Sequence, residues 1–65
     1  MEVIAESEWS HPRSKWDHST VKAAILIGAD LQYKSDFMNS WSDVHPTLHY
    51  LMDTNPDVRY RAIIK

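Results

Sequence analysis

Apolar positions in this chain fall into short runs separated by polar stretches, and their spacing predicts short helices. Ala23-Ala24-Ile25-Leu26-Ile27 is apolar all round, as in a helix buried on most sides, with Ser19 placed to cap it before Thr20. Ala23, Ala24 and Leu26 favour helix over strand in so brief a run, and Gly28 either ends it or loosens it. Phe37, Met38, Trp41 and Val44 recur at i, i+1, i+4 and i+7 behind Ser35, with Asn39, Ser40, Ser42 and Asp43 between them, which reads as the clearest amphipathic helix in the chain. Pro46 suits the first turn of a further helix bearing Leu48, Leu51 and Met52.

The last segment carries two conflicting patterns. Thr54-Asn55-Pro56-Asp57 combines a cap residue, a proline at N1 and an acid where the helix dipole favours one. Val58, Tyr60, Ala62 and Ile64 then alternate with Arg59, Arg61 and the apolar Ile63, as in a half-buried edge strand. The start signal is taken as decisive, so helix is expected. Met1–Ala5 stays unassigned. Residues 6–18 read as irregular, because Pro12 disfavours helix at His11, with Trp9 and Trp16 as anchors. The expectation is an all-α protein: an irregular arm over 1–18 and a small bundle of three or four short helices over 19–65. The alternative is α+β with short terminal strands.

Composition adds a stability argument. A single core in a chain of 65 residues supplies about 3–5 kcal/mol, and with no cysteine there is neither a disulfide nor a thiolate zinc cage to add to it. Packing against a partner or a second copy is the remaining source. The net charge of −2 argues against general polyanion binding, but the charge is unevenly spread. Residues 1–8 carry Glu2, Glu6 and Glu8. Residues 9–34 are net basic. Residues 35–58 carry Asp36, Asp43, Asp53 and Asp57 with no Lys or Arg, and Arg59, Arg61 and Lys65 close the chain. The first residues lack the basic and apolar regions of a signal peptide, and the apolar stretch Ala23–Ala29 is too short to span a bilayer, so a soluble cytoplasmic protein is expected.

Two local resemblances bear on architecture. Leu51 to Ala62, with Asn55-Pro56-Asp57 followed by Val58-Arg59 and Ala62, resembles the turn and second-helix start of a HEAT-type repeat, which implies helix–turn–helix geometry over about a dozen residues. Ala24 and Gly28, followed by Ala29 and a segment containing Phe37, resemble the alanine and turn glycine of a DNA-binding helix-turn-helix. Lys34 stands where that motif wants an apolar residue, and Asp30 and Asp36 would repel phosphates.

Candidate chemistry is sparse. His45, His49 and Asp53 are spaced i, i+4 and i+8, the one ligand-like series, but Pro46 takes His45 off the shared face and makes it a cap, so no metal or other cofactor is expected. There is no Gly-rich phosphate loop and no Gly-x-Ser-x-Gly elbow, and an enzyme is not expected. Three Trp, three Tyr and one Phe are hard to bury in so small a core, and such residues dominate interface hot spots. The expected function is therefore binding of another protein, after the manner of bacteriophage inhibitors and adaptors. Trp9, Trp41 and Tyr50, with Asp36, Asp43 and Asp53 around them, would dock on a basic host surface. A dimeric helix-turn-helix DNA-binding regulator and a structural subunit of a larger assembly are the alternatives, with a homodimer as a candidate state of the protein.

Overall fold

Strict alternation at the C-terminal end governs the architecture. In the computed structural model, which describes residues 1–9 and 16–65, the elements in chain order are β1 (Glu2–Glu6), α1 (Ser19–Leu26), β2 (Asp30–Lys34), β3 (Ser42–Val44), a 3-10 turn (Pro46–Leu48), α2 (Leu51–Thr54) and β4 (Arg59–Ile64). The strands form one antiparallel sheet in the order β1-β4-β2-β3. The C-terminal strand is thus central, and the crossover from β1 through α1 to β2 passes over it.

Successive side chains on a strand point to opposite faces, so the register sorts the sheet into two surfaces. Tyr60 pairs with Tyr33, and Ala62 with Leu31, which in turn pairs with Val44. These residues join Val21 and Ala24 of α1 and Met52 of α2 in one buried cluster. Arg59, Arg61 and Ile63 point the other way, toward Lys34, Gln32 and Asp30 of β2. Among the described residues no helix joins that second face, and long side chains lie across it. Arg59 lies over the Trp16 ring at 5.2 Å and the Trp41 ring at 5.8 Å, while Arg61 sits 4.5 Å from the Trp41 centroid. Gln32 Nε2 donates to Asp43 Oδ1 at 2.8 Å, and its Oε1 accepts from Arg61 Nε at 2.7 Å. Stacked guanidinium groups and their alkyl stems shield apolar surface that the chain is too short to cover with a second helical layer.

The first helix forms over the apolar run as expected, but Ser19 is its first residue rather than its cap; His18 holds the cap position, with no side-chain cap hydrogen bond. Asp17 Oδ1 accepts from the Ser19 N–H at 2.9 Å, which supplies one of the free donors at its start. Its end is a Schellman arrangement: Ala29 N–H donates to the Ala24 carbonyl, Gly28 N–H donates to the Ile25 carbonyl, and Gly28 takes φ 103. Burial on most sides is not observed. Only Val21 and Ala24 are buried, and Leu26 and Ile27 are 87% and 82% exposed. One helix on one sheet face buries a single stripe, whatever its other positions contain.

The expectation of an all-α bundle is overturned, since the protein is a small four-stranded sheet with two short helices. The unassigned residues at the start form β1, an edge strand. The helix expected over Phe37, Met38, Trp41 and Val44 is instead a turn closed by Met38 N–H to the Ser35 carbonyl, followed by β3, with Phe37 96% exposed. Its apolar spacing was helical, but Asn39, Ser40 and Ser42 are poor helix formers, and Val44 gains more by lying beside Leu31 in the sheet. The helix expected after Pro56 is β4, so the HEAT-like geometry is absent. Strand β2 after Gly28 removes the helix-turn-helix in the same way. The expected irregular arm is in part sheet, and the break at His11–Pro12 lies outside the described residues. Trp16 is an anchor as expected: its Nε1–H donates to the Asp57 carbonyl at 2.8 Å and the ring is 7% exposed. Trp9 is 56% exposed.

Candidate functional site

Pro46 and Pro56 set the geometry of an apolar recess on the sheet. The His45 ring accepts from Thr47 N–H, Pro46 opens the 3-10 turn behind it, and Asn55-Pro56 ends α2 after a single helical turn. The segment that should cover the β2–β3 half of the sheet is therefore too short to fill the space beneath it. Helix α1 lies mainly over β1 and β4. What remains is a groove of about 380 Å³ lined by Tyr33, Val44, Leu48, Leu51, Val58 and Tyr60, with Asp43 and Asn55 as its polar members. Tyr60 forms its floor and is held from behind, its hydroxyl donating to the Leu51 carbonyl at 3.0 Å. Burial raises the Tyr60 hydroxyl pKa above its usual value, so it stays a donor across the physiological range.

Strand β3 borders this groove and forms one edge of the sheet, pairing with β2 alone. The opposite edge, β1, is guarded. A register shift between Val3 and Ala5 interrupts its pairing, and Glu2 and Glu6 stand near its ends. Bulges and charged residues of this kind discourage pairing with another chain. Edge β3 has no bulge; it is three residues long and carries the exposed Asp43 at its centre.

The six residues expected to form one docking patch are distributed over three places. Trp9 and Asp36 line a cleft of about 240 Å³ with Trp16, Lys34, Met38 and Arg59. Trp41 and Asp43 belong to the helix-free face. Asp43 there takes hydrogen bonds from Gln32 and lies 3.6 Å from Lys65 Nζ, and both hold its carboxyl below the usual range. Tyr50 and Asp53 flank α2, where Asp53 pairs with Lys22 of α1. Asp43 alone of the six lines the groove. The groove residues Leu48, Leu51 and Val58 were visible as apolar positions, but their convergence depends on the β2–β4 pairing, which no local pattern announces. Among the described residues, no three His, Asp or Glu side chains converge as metal ligands would, and no helix is long and apolar enough to cross a membrane.

One contact has the atoms of a nucleophile and its base. Ser7 Oγ lies 2.7 Å from His18 Nδ1. Both residues are under 10% exposed, Ser7 Oγ already accepts the Tyr60 N–H at 3.0 Å, and neither lines the groove or the Trp9 cleft. Ser7 Oγ and His18 Nδ1 share one hydrogen bond, and the pair ties β1, α1 and β4 together, with the His18 ring edge-on to Tyr60 at 5.1 Å. Burial, then the nearby Lys22 ammonium, depresses the His18 pKa below its ordinary value near 6.5. Below about pH 6.5 the unfolded chain takes up a proton at this position that the folded chain resists. Stability is expected to be full above that pH and to fall as pH drops from it toward the depressed folded value. Urea midpoints for wild type and His18→Gln across this range check it: the decline should be shallower in the variant, and equal slopes would remove His18 as its source.

No family model, curated protein or solved structure matches this chain.

Proposed function

We propose that the protein is a non-enzymatic docking module that binds another protein through the groove lined by Val44, Leu48, Leu51, Val58 and Tyr60. The single observation carrying this reading is the apolar groove beside edge strand β3. Concave apolar surface with a few polar members is the usual form of a binding site, and Asp43 is the one acidic residue that lines this one. Asp53 pairs with Lys22 and Asp43 with Lys65, both from outside residues 35–58.

The docking patch first expected around Trp9, Trp41 and Tyr50 is replaced by Leu48, Leu51 and Val58. Pairing of two copies through β1 is disfavoured, because a two-fold axis at Ile4 would set Glu2 of one copy against Glu6 of the other.

The test is affinity capture from a host lysate with three baits. Wild type and Trp9→Ala are expected to retain the same specific protein, and Leu48→Arg, which places a bulky cation at a position 42% exposed, is expected to lose it. Equal capture by all three baits would reject the groove as the docking surface.

A further inference from the structure

We infer that the hydrogen bond between Ser7 and His18 is a proton-released latch joining the end of β1 to the start of α1: when His18 takes up a proton, residues 6–8 part from residues 17–20 while the rest of the sheet stays folded. This goes beyond the docking reading and does not depend on it.

The latch is the closest tie at this junction. Ser7 Oγ and His18 Nδ1 are 2.7 Å apart, and the two residues are 3% and 8% exposed. Three further ties join the same segments: Glu8 N–H to the Asp17 carbonyl at 3.1 Å, Asp17 N–H to the Glu8 carbonyl at 3.3 Å, and the Thr20 hydroxyl to the Glu6 carbonyl at 3.3 Å. Amide hydrogen bonds centre near about 2.9 Å and hydroxyl ones rarely exceed about 3.0 Å, so these three are the weaker members.

Protonation undoes the latch by donor count. A neutral imidazole carries one N–H, and either tautomer can share a hydrogen bond with a hydroxyl. The imidazolium carries two. One, at Nδ1, faces a hydroxyl oxygen that already accepts the Tyr60 N–H at 3.0 Å; the other, at Nε2, is buried with no hydrogen-bond partner among the described residues. A charged ring with an unpaired N–H is costly in such a junction and gains by turning out to water.

The groups around the ring do not offset that cost. Lys22 of α1 repels the imidazolium, the Asp17 carboxylate attracts it but is bound to the Ser19 N–H, Asp53 of α2 is paired with Lys22, and Tyr60 of β4 presents a neutral ring at right angles. The Pro56 carbonyl favours the charged form without closing a hydrogen bond to Nε2. Glu6 and Glu8 flank Ser7, and the Glu6 carboxylate lies 3.7 Å from Arg59. Burial outweighs the attractions and holds the ring below its ordinary pKa.

Opening here spares the rest of the molecule. The β2–β4 ladder and the buried cluster of Val21, Leu31 and Ala62 include none of the parting residues, and Trp16 keeps its bond to the Asp57 carbonyl. A proton that binds the open junction near about pH 6.5 and the closed one only at lower pH favours opening about ten-fold more for each pH unit between the two values.

The test is amide hydrogen exchange on the full chain from about pH 7.5 to about pH 5, expressed as protection factors so that the intrinsic pH dependence of exchange is removed. Protection of the Glu8 and Asp17 amides is expected to be constant above about pH 6.5 and to fall about ten-fold per unit below it, with Leu31 and Ala62 at least about ten-fold better protected throughout. His18→Asn keeps a hydrogen-bonding atom near the Nδ1 position and cannot take the proton, so it should flatten the decline. Ser7→Ala keeps the ring and removes its partner, and should lower both protection factors about five-fold at neutral pH. A flat wild-type profile, a decline kept in His18→Asn, or unchanged protection in Ser7→Ala would each overturn the latch. Equal protection of Glu8, Asp17, Leu31 and Ala62 at every pH would do so too, because the junction would then open only with the whole sheet. Capture by Leu48→Arg reads the groove and is independent of all four outcomes.

Discussion

Tyr60→Ala is expected to leave the protein unfolded, or nearly so, at room temperature. Tyr60 is 2% exposed at the centre of the sheet and serves several neighbours. Its ring meets His18, its hydroxyl donates to the Leu51 carbonyl, its N–H donates to Ser7 Oγ, and its carbonyl accepts the Ser7 N–H at 2.8 Å. Truncating a buried aromatic to alanine costs about 3–5 kcal/mol, which matches the whole stability a core of this size supplies. Tyr60→Phe retains the ring and loses one hydrogen bond, so it should cost only about 1 kcal/mol. Circular dichroism during urea titration separates the two. A cooperative transition in Tyr60→Ala within about 1 kcal/mol of wild type would mean that the core is not organised around this ring.

Trp16→Ala should be the next most damaging change, at about 3 kcal/mol or more. The ring is 7% exposed, its Nε1–H holds the Asp57 carbonyl, its own backbone N–H reaches the Pro56 carbonyl, and Arg59 stacks on it. These contacts fasten the chain before α1 to the turn that launches β4. Phe at this position would restore most of the packing but not the hydrogen bond. Phe37→Ser is the control: at 96% exposure it should change stability by no more than about 0.5 kcal/mol. If Trp16→Ala is equally mild, the arm does not hold β4 in place.

These two residues also show which signals in the chain were readable. Trp16 stood out as an anchor because a tryptophan in a polar, proline-containing stretch needs somewhere to go. Tyr60 belonged to a strict alternation that correctly described a strand, yet the cap-like Thr54-Asn55-Pro56-Asp57 outweighed it. The same residue types that start helices also make turns, and here Val58 N–H closes a turn onto the Asn55 carbonyl before the strand begins. Phe37 failed in the opposite sense. Its helical spacing with Trp41 and Val44 was accidental, and the structure sends Phe37 to solvent, Trp41 to the arginine stack and Val44 to the core.

The candidate site was legible only in its parts. Leu48 and Leu51 were recognised as apolar and 35–58 as acidic, but the groove needs Tyr33 and Tyr60 side by side, and those positions lie 27 residues apart in sequence. Arg59 and Arg61 read as a basic tail, whereas in the sheet they stack on tryptophans and spread over the face without helices.

Local chemistry determined the features that close within a few residues: α1 with its stop at Gly28, the cap and turn at His45–Pro46, and the alternating faces of the last strand. Each is fixed by backbone dihedral preferences and hydrogen bonds between near neighbours. Tertiary structure decided the rest. Strand β4 could have been an edge strand or a helix until β1 and β2 took its two sides, through pairings such as Val3 with Ile63 and Gln32 with Arg61. Backbone groups in a sheet are satisfied by distant partners, so the energy that selects strand over helix is absent from any short stretch of the chain.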